Sequence, residues 1–382
     1  MSETKRVFIA GAGGIGRAVA LMLADYYKEE IEIVIGDVRG EACQNALKYI
    51  SSGIGTNYNP VKIITIPAQG ESSEMEMILN NGHILLDCLP GTQAPRIAQL
   101  AKKYHLHYAN LTEYVKETNE IIELAQSADT AFVLQTGLAP GFINVLANRL
   151  YMDLFKEYPI QKVDSLIMRV GALPLNCKSP HFYGFTWSPV GVATEYLEDC
   201  VVIRNHHKTI VPALSSREKL IIDGIQFEAD LTSGGAADLP DYFIGKVAEL
   251  DYKTLRYPGH YDWVKISAST IPQNRNKIDE LQRIMLENIP MVEEDFVLIY
   301  SAAQGHDENN TLWLNEKSYW INQIQWGGVK LKAIQATTAA PMAEVTRMLF
   351  ENNLKGPIFQ SQLDPYSFMT GAFIKKVYGD RF

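Results

Sequence analysis

The stretch LDYKTLRYPGH, residues 250–260, carries an arginine and a histidine on either side of a Pro-Gly pair. Arginine can bind a carboxylate through two parallel hydrogen bonds, and histidine has the only unperturbed side-chain pKa near neutral pH. We interpret the stretch as a polar turn in which Arg256 binds a substrate and Lys253 is more peripheral. A histidine in a turn is more often structural than catalytic, so His260 either carries a proton or fixes the turn.

Two nearby segments add polar and aromatic side chains to this candidate site. TSGG offers hydroxyl groups and bare backbone N–H groups that suit an anion such as a carboxylate, although an ordinary turn between a strand and a helix has the same composition. Its members are Thr232, Ser233, Gly234 and Gly235. The aromatic run HFYGFTWSP, residues 181–189, is typical of a core or an interface but would also line a pocket for an aliphatic chain. Trp187 is its candidate substrate contact.

A glycine-rich turn near the amino terminus has the spacing of a dinucleotide-binding loop. The apolar segment VFIA leads into GAGGIG, and a helical pattern follows at once. Asp37 lies at the end of the next apolar segment, 21 residues after Gly16, where a carboxylate would accept hydrogen bonds from the adenosine ribose. A packing turn without a nucleotide is the alternative. The Asp37 carboxylate would repel a 2′-phosphate and favours NAD, whereas Arg39 is compatible with NADP.

The first third of the chain alternates short apolar runs with helical patterns. Six of these runs predict strands, at residues 7–10, 31–36, 61–66, 83–88, 106–111 and 131–137. This alternation predicts an α/β domain with a parallel sheet covered on both faces. Ligands of such sheets lie beyond the carboxyl ends of the strands. The predicted cofactor contacts are Gly11, Gly13, Gly14, Ile15, Gly16, Asp37, Val38, Cys88, Leu89, Pro90, Leu111, Thr112, Ala139 and Gly141.

After Gly141 the pattern changes to strand-like segments with few helices between them, which predicts a mixed, mostly antiparallel second domain. Helical patterns interrupt it near residues 195 and 280, and the amphipathic segment 340–354 is expected to return to the first domain. The predicted organisation is a dinucleotide-binding domain at 1–137, a substrate domain at 138–335 and a returning segment at 336–382.

The composition excludes several classes of function. The chain has 35 Lys and Arg against 44 Asp and Glu, a net charge of -9, and no basic run, which argues against a nucleic-acid partner. No apolar run approaches the roughly 18 residues of a membrane span, and the amino terminus lacks an apolar signal region. The chain has no GxSxG or HExxH motif of a hydrolase. A small-molecule partner is therefore expected.

The cysteines and histidines point to no metal centre. The four cysteines form no CxxC pair, and their wide spacing fits a reducing compartment, so the cytoplasm is the expected location. His206 and His207 are adjacent and would point apart, with no suitably spaced carboxylate nearby. We expect no metal ion.

Taken in order, these motifs resemble the saccharopine dehydrogenase family, in its glutamate-forming saccharopine-reductase branch that includes the lysine 6-dehydrogenases. The similar segments are GAGGIG with Asp37, LLDCLPG, GLAPGFIN, GALP, YGFTWSP, TSGG and LDYKTLRYPGH. They run through nearly the whole chain, and TSGG followed by DYKTLRYPGH is far more specific than the glycine pattern. The resemblance implies a Rossmann domain with an inserted mixed α+β substrate and dimerisation domain, and hence a homodimer.

The same resemblance implies oxidation at a carbon that bears nitrogen, with hydride passing to NAD or NADP and hydrolysis of the resulting imine. It places the dinucleotide on the glycine loop and Asp37, near Leu89 and Pro90, and the substrate on TSGG and Arg256. It leaves the general base unassigned. The candidates are Asp87, Cys88, Glu113, Tyr257 and His260.

The resemblance leaves several substrates open. Saccharopine has three carboxylates and would need several cationic partners, for which Arg204, Arg217 and Arg256 are available. Lysine has one carboxylate, and the compact chain is similar to the lysine 6-dehydrogenases, whereas YGFTWSP favours the saccharopine reductases. A third alternative is carboxynorspermidine dehydrogenase, whose polyamine would need acidic residues in the pocket. Outside enzymology, the alternative is a non-catalytic dinucleotide-binding redox sensor.

Overall fold

Alternating strands and helices extend through the first third of the chain, and longer strands dominate the middle. The computed structural model describes residues 4–55 and 61–382, so the first three residues of the amino terminus, for which no signal region is expected, lie outside the described residues. In chain order the described strands are β1 (Lys5–Ala10), β2 (Ile31–Asp37), β3 (Val61–Thr65), β4 (Ile84–Asp87), β5 (His107–Asn110), β6 (Ala131–Val133), β7 (Ile160–Pro174), β8 (Cys200–Arg204), β9 (His207–Val211), β10 (Glu218–Ile222), β11 (Ile225–Leu231), β12 (Val247–Arg256), β13 (Asp295–Asp307), β14 (Leu312–Asn322), β15 (Ile324–Trp326), β16 (Val329–Leu331) and β17 (Gly356–Ile358).

The helices belong to both parts of the chain. In chain order the described α-helices are α1 (Gly14–Tyr27), α2 (Gly40–Ile54), α3 (Ser73–Leu79), α4 (Ala94–Lys103), α5 (Val115–Ala125), α6 (Phe142–Glu157), α7 (Pro189–Leu197), α8 (Leu239–Phe243), α9 (His260–Ser269), α10 (Lys277–Asn288), α11 (Ala333–Glu351), α12 (Pro365–Met369) and α13 (Ala372–Tyr378).

The first sheet is parallel, in the order β17-β6-β5-β4-β1-β2-β3. Its central strands are continuous apolar runs because both faces are covered, and Val7 to Ala10 are fully buried. Apolar side chains of α3, α4 and α5 join those of the strands in one core cluster. The prediction of a parallel Rossmann sheet is therefore confirmed, and all six strands predicted from the first third of the sequence lie in it.

The second sheet is mixed. Its strands run in the order β10-β11-β12-β7-β13-β14, and β8 pairs with β12 and with β9. β12 and β7 pair in parallel, while the other neighbours pair in antiparallel fashion. Helices α7, α9 and α10 contribute to an apolar cluster of this part of the chain. The predicted combination of a Rossmann sheet with a mixed second sheet is confirmed.

Our interpretation of residues 250–256 as a polar turn is wrong, because they form the second half of the buried strand β12. Side chains alternate along it, so Asp251 and Lys253 lie on one face while Tyr252 and Arg256 lie on the other. The turn itself is confined to residues 257–259. Strands β10 and β11, which pair with each other, were also missed, and β11 pairs with β12.

Contacts divide the chain into two compact units. Unit 1 comprises residues 1–142, 324–331 and 335–382, and unit 2 comprises residues 143–323 and 332–334. The predicted boundaries were 137/138 and 335/336. The carboxyl-terminal segment supplies β17, which pairs with β6 of unit 1. Within residues 4–55 and 61–382, no helix has the length and apolar character needed to cross a membrane.

Candidate functional site

The glycine loop of unit 1 has the geometry of a dinucleotide cradle. Gly11 follows β1 with φ of +106°, and a Cβ there would lie 2.7 Å from the Cys88 carbonyl oxygen. A Cβ on Gly16 would lie 1.8 Å from the Gly11 carbonyl oxygen, so neither position accepts another residue. Gly13, by contrast, faces open space and begins α1 without a side-chain cap among the described residues. The free N–H groups at this helix end suit a pyrophosphate.

Asp37 lies at the end of β2 beside this loop and is nearly buried. Its Oδ2 accepts a hydrogen bond from the Ala12 backbone N–H at 3.0 Å, and its Oδ1 accepts one from the Arg39 N–H at 3.0 Å. Oδ1 also accepts a long hydrogen bond from the Arg39 Nε at 3.5 Å, whereas Oδ2 retains a further lone pair, which is what a ribose hydroxyl requires. The Arg39 side chain is largely exposed. The residues present therefore fit a dinucleotide.

Asp87 ends β4 at the same edge of the sheet and is fully buried. Its Oδ1 accepts a hydrogen bond from the Leu89 N–H at 3.0 Å, and its Oδ2 accepts one from the Tyr108 hydroxyl at 2.9 Å. Burial raises the pKa of Asp87 to about 7, against the opposing effects of these two donors and of the charge on Arg96. Asp87 is thus the candidate acid or base whose protonation changes near neutral pH.

Two other candidate bases have a different protonation behaviour. Burial raises the pKa of the Cys88 thiol, and the charge on Asp87 raises it further, so the thiol stays protonated at neutral pH. Burial also raises the pKa of Glu113.

The other predicted cofactor contacts follow strand ends at this edge of unit 1: Gly14, Ile15, Val38, Leu89, Pro90, Leu111, Thr112, Ala139 and Gly141.

Arg256 is the centre of a buried polar cluster in unit 2. The residue is 1% exposed, and its Nε donates to the Tyr196 hydroxyl oxygen at 2.6 Å. Nη2 donates to Oε1 of Glu195 at 2.8 Å, and Nη1 donates to the Leu255 carbonyl at 2.9 Å. A guanidinium has five N–H groups, so one on each terminal nitrogen is left without a partner in the described parts of the chain. Such a pair of N–H groups can bind a carboxylate.

His260 supports this cluster through Tyr196. The histidine is fully buried, and burial, followed by the charge on Arg256, lowers its pKa to about 3, so it is neutral. Its Nδ1 lies 2.6 Å from the His181 carbonyl oxygen and must carry the hydrogen. Its Nε2, 3.0 Å from the Tyr196 hydroxyl, therefore accepts that hydroxyl's hydrogen, which leaves the Tyr196 oxygen to accept from Arg256. Both nitrogens are engaged, which favours an orienting role over proton transfer.

Tyr257 and Lys253 are separated from Arg256. The Tyr257 hydroxyl donates to the Pro174 carbonyl oxygen at 3.1 Å, and its ring packs against Phe227 on the opposite face of the second sheet. Lys253 is buried on that face too and contacts Glu218 at 2.9 Å. Tyr257, one of the candidate bases, is adjacent to Arg256 in the sequence. Alternation of side chains along the strand separates them.

The TSGG segment lies between β11 and α8 and is anchored to α7. The Ser233 N–H donates to the Glu195 carbonyl oxygen at 2.9 Å, and the Thr232 hydroxyl lies 2.6 Å from that of Thr254. Gly234 has φ of +87°, and a Cβ on Gly235 would meet the Tyr252 ring at 2.2 Å. Trp187, just before α7, packs against the apolar cluster of α7, α9 and α10. The fold thus brings the TSGG segment and Arg256 together around α7.

Comparisons with known proteins agree with this architecture. The sequence matches the saccharopine dehydrogenase NADP binding domain over residues 7–134 and the saccharopine dehydrogenase C-terminal domain over residues 137–371.

The chain belongs to the saccharopine dehydrogenase family.

Curated relatives of this family member include the mitochondrial alpha-aminoadipic semialdehyde synthases. The mouse protein is 25% identical over 208 residues, and the bovine protein is 26% identical over 212 residues. Each match covers 54% of this chain and only 21% of the longer relative.

Solved structures show the same fold. Apo saccharopine dehydrogenase (L-Glu forming) from Saccharomyces cerevisiae aligns over 98% of both chains, with a TM-score of 0.75 and 14% identity. Homospermidine synthase from Legionella pneumophila, in complex with NAD, aligns over 98% of this chain and 90% of that chain, with a TM-score of 0.64 and 14% identity. The family consists of NAD(P)-dependent oxidoreductases, so a nicotinamide dinucleotide is the cofactor of this chain.

Several residues of the candidate site were missed from the sequence. Tyr108, which bonds Asp87, lies inside an apolar strand, and Gln335 approaches the glycine loop at Gly14 from a distant part of the chain. Glu195 and Tyr196 lie in a helical pattern that gave no sign of chemistry. The available signal was an acidic residue, Glu195, on a helix that follows the aromatic run.

Across the described parts of the chain, no three His, Cys, Asp or Glu side chains could share a metal ion.

Proposed function

We propose that this family member is an NAD(P)-dependent dehydrogenase that oxidises the C–N bond of saccharopine and forms glutamate. Hydride leaves the carbon that bears nitrogen, and water hydrolyses the resulting imine to glutamate and the aminoadipate semialdehyde. The bound nicotinamide ring would accept the hydride. Oxidative deamination of lysine is the second candidate, because the chain is compact, and oxidation of a polyamine is the third, because Glu195 places an acid in the site.

The observation that carries the proposal is Arg256. A buried cation is costly unless it is paired, and this one is paired with Glu195 yet still has N–H groups without a described partner. In the proposed complex these N–H groups bind a carboxylate of the amino-acid substrate. Tyr196 and His260 fix the guanidinium. The Ser233 N–H donates to the Glu195 carbonyl oxygen and so joins the TSGG segment to α7. We propose that Trp187 contacts the substrate chain.

Unit 1 contains a candidate group for proton transfer during the reaction. We propose Asp87 as the acid or base, because its pKa of about 7 lets it exchange a proton near neutral pH. The Leu89 N–H and the Tyr108 hydroxyl hold its carboxyl group in one orientation. Cys88, as a protonated thiol, would pack beside the cofactor.

The substrate proposal is tested by following reduced cofactor in absorbance. We expect saccharopine with NAD to produce reduced cofactor, and glutamate plus the semialdehyde to consume it in reverse. Lysine and carboxynorspermidine are the comparison substrates, each assayed with NAD and NADP. Turnover of lysine alone would replace the first candidate by the second. Cofactor binding without turnover of any of these compounds would support the redox-sensor alternative and overturn the enzymatic proposal.

We propose NAD as the preferred cofactor, on the basis of Asp37. Asp37→Ala is expected to weaken NADH binding by about 10- to 100-fold, because a hydrogen bond to a charged group is worth roughly 1.5–3 kcal/mol, and to leave NADPH binding unchanged or tighter. Nucleotide fluorescence titrations measure both affinities without a substrate. Asp129→Ala, at the amino end of β6, is the matched control. An unchanged NADH to NADPH ratio in Asp37→Ala would contradict this role.

Assembly and compartment stay predictions. We expect a homodimer in the cytoplasm, and light scattering coupled to gel filtration would measure the oligomeric state.

A further inference from the structure

Unit 2 contains a cavity of about 320 Å³ that is formed by strands β7, β8 and β12. This volume is at the lower end of the roughly 300–1,000 Å³ that is usual for small-molecule sites. The side chains used below are those of Ser165, Ile167, Arg169, Arg204, Glu249 and Asp251, all of which line the cavity. Most of them are charged or polar, so the cavity has the chemistry of a binding site for a small polar molecule.

The register of β7 and β12 places this lining on the face of the second sheet that is opposite to Arg256. Ser165 is the neighbour of Glu249, and Ile167 is the neighbour of Asp251. Side chains alternate along a strand, so these four side chains point away from the face that carries Arg256. The cavity is therefore separated from the Arg256 cluster by the sheet itself.

Arg204 is a partly exposed cation of the cavity, with 30% of its side chain accessible. Its Nη2 donates to Oδ2 of Asp251 at 2.7 Å, and its Nη1 donates to the Ile203 carbonyl oxygen at 3.0 Å. Nη1 also lies 3.3 Å from Oε2 of Glu249. Nε and the second hydrogen of Nη2 have no partner among the described residues. These N–H groups can bind a carboxylate.

Asp251 and Glu249 supply the opposite charge. Oδ1 of Asp251 accepts from Nη1 of Arg169 at 2.6 Å, and Oδ2 accepts from Arg204, so each oxygen keeps a further lone pair. Burial opposes the ionisation of Asp251, but the charge on Arg169 outweighs it and helps to hold the pKa of this carboxyl below its usual value. Two guanidinium groups and two carboxylates therefore line the cavity, and their charges cancel.

Ser165 adds an unused hydroxyl group to the cavity. Its Oγ is buried and has no hydrogen-bond partner in residues 4–55 and 61–382. Buried polar groups are nearly always hydrogen-bonded, because an unpaired one loses its bonds to water and gains nothing in return. Since Ser165 lines the cavity, rotation about its Cα–Cβ bond can direct the hydroxyl to a bound molecule. The side chain thus provides a further donor for a ligand.

We propose that this cavity is a second binding site of the protein, for an α-amino acid with an uncharged side chain. The carboxylate of the ligand binds the free N–H groups of Arg204 and the Ser165 hydroxyl. Its ammonium group donates to Asp251 and Glu249, and its side chain packs against Ile167. A lining without net charge matches a zwitterion, whereas a phosphate group would face two carboxylates and a metal cation would face two guanidinium groups.

Calorimetric titration with L-leucine tests the proposal, because leucine is a zwitterion without net charge. Arg204→Met removes one guanidinium, and Asp251 keeps its bond to Arg169, so the fold should be retained. We expect this variant to weaken leucine binding by about 10- to 100-fold, the usual range for losing a hydrogen bond from a charged group. Ser165→Ala should weaken it by about 2- to 10-fold, the range for a neutral hydrogen bond.

A matched control and two modified ligands complete the titrations. Arg283→Met also removes an arginine that contacts two carboxylates, those of Glu280 and Glu287, but on helix α10, and leucine should bind it as it binds the wild type. N-acetyl-L-leucine lacks the ammonium group and L-leucinamide lacks the carboxylate, so we expect each to bind about tenfold more weakly than leucine. Absence of leucine binding to the wild-type protein, or unchanged binding to Arg204→Met, would overturn the inference.

Arg256→Met combined with Glu195→Gln shows which of the two sites leucine occupies. We expect leucine to bind this double variant with its wild-type affinity. If binding is lost there and retained in Arg204→Met, leucine occupies the Arg256 cluster and the inference fails. None of these titrations involves turnover, so they can fail while the proposed dehydrogenase activity is observed, and they can succeed without it.

Discussion

Arg256→Ala is expected to lower kcat/KM for the amino-acid substrate by about 30- to 160-fold, chiefly through KM. This range corresponds to about 2–3 kcal/mol, the loss of a charge-assisted contact with a carboxylate. In the redox-sensor alternative the same variant changes only stability. Initial rates at saturating cofactor measure the effect, and saccharopine is the first substrate to use.

The control for Arg256→Ala has to separate binding from folding. Removing the arginine takes away the guanidinium that pairs with Glu195, and breaking a buried ion pair typically costs about 3–5 kcal/mol of stability. Arg169→Ala is the matched variant, because Arg169 is also buried in unit 2, bonds the Asp251 carboxylate at 2.6 Å and lies on the opposite face of the sheet. We expect it to lose stability with KM unchanged.

A second variant guards against simple unfolding of Arg256→Ala. Arg256→Met combined with Glu195→Gln removes both charges, and replacing a buried ion pair by uncharged groups is often neutral in stability. We expect this double variant to fold and still to bind the substrate poorly. Equal KM values for it and for the wild-type protein would contradict a substrate-binding role for Arg256.

The Rossmann unit was predictable because its signals are local. Apolar strands such as residues 7–10 are buried on both faces, so they read as continuous runs, and the glycine spacing follows from backbone contacts within one turn. Asp37 lies where that pattern requires it. In these segments each residue's environment is set by neighbours close in sequence.

Strand β12 was missed because the residues that surround its side chains are distant in the sequence. Asp251 and Lys253 look like surface residues, yet they are neutralised by Arg169 and Glu218, which belong to strands 82 and 35 residues distant in the chain. Sequence patterns do not reveal such pairs. The strand therefore resembled a polar turn.

The roles within the candidate site were unpredictable for the same reason. His260 is oriented by the carbonyl of His181, 79 residues away, and by Tyr196, 64 residues away. Its residue type left proton transfer and fixing the turn as alternatives, and its partners leave it neutral with both ring nitrogens engaged. Some of the residues in the candidate site could therefore be predicted from the sequence, but the partner and direction of each hydrogen bond could not.

The pH dependence of stability provides the other large expected effect, through Asp87. Its pKa is about 7 in the folded protein against 3.8 in the unfolded chain. Between these values the folded state keeps a proton that the unfolded state loses, so this group's stabilising contribution is fully present below pH 3.8 and is lost as pH rises through 7. Asp87→Asn has no such titration. We expect its free energy of unfolding, relative to the wild type, to rise by about 2–4 kcal/mol between pH 4 and pH 8.

Denaturant unfolding at a series of pH values measures this difference. Other titrating groups, including His260, are shared by both proteins and cancel. Asp129→Asn is a control of opposite sign, because a hydrogen bond from His105 lowers the pKa of Asp129, so its contribution is lost as pH falls. A difference between Asp87→Asn and wild type that does not vary with pH would contradict a raised pKa for Asp87.

Activity of the same variant connects the protonation of Asp87 to chemistry. Asparagine can accept from the Leu89 N–H through its amide oxygen and donate to the Tyr108 hydroxyl oxygen through its amide nitrogen, but it cannot exchange a proton. If Asp87 is the acid or base, Asp87→Asn should lower kcat by about 10²- to 10⁴-fold while NADH binding is retained. If kcat is retained, the carboxyl group only shapes the edge of the sheet, and the proton must pass through another group or through water. Stability and activity thus test two separate properties of one carboxyl group, its protonation state and its use.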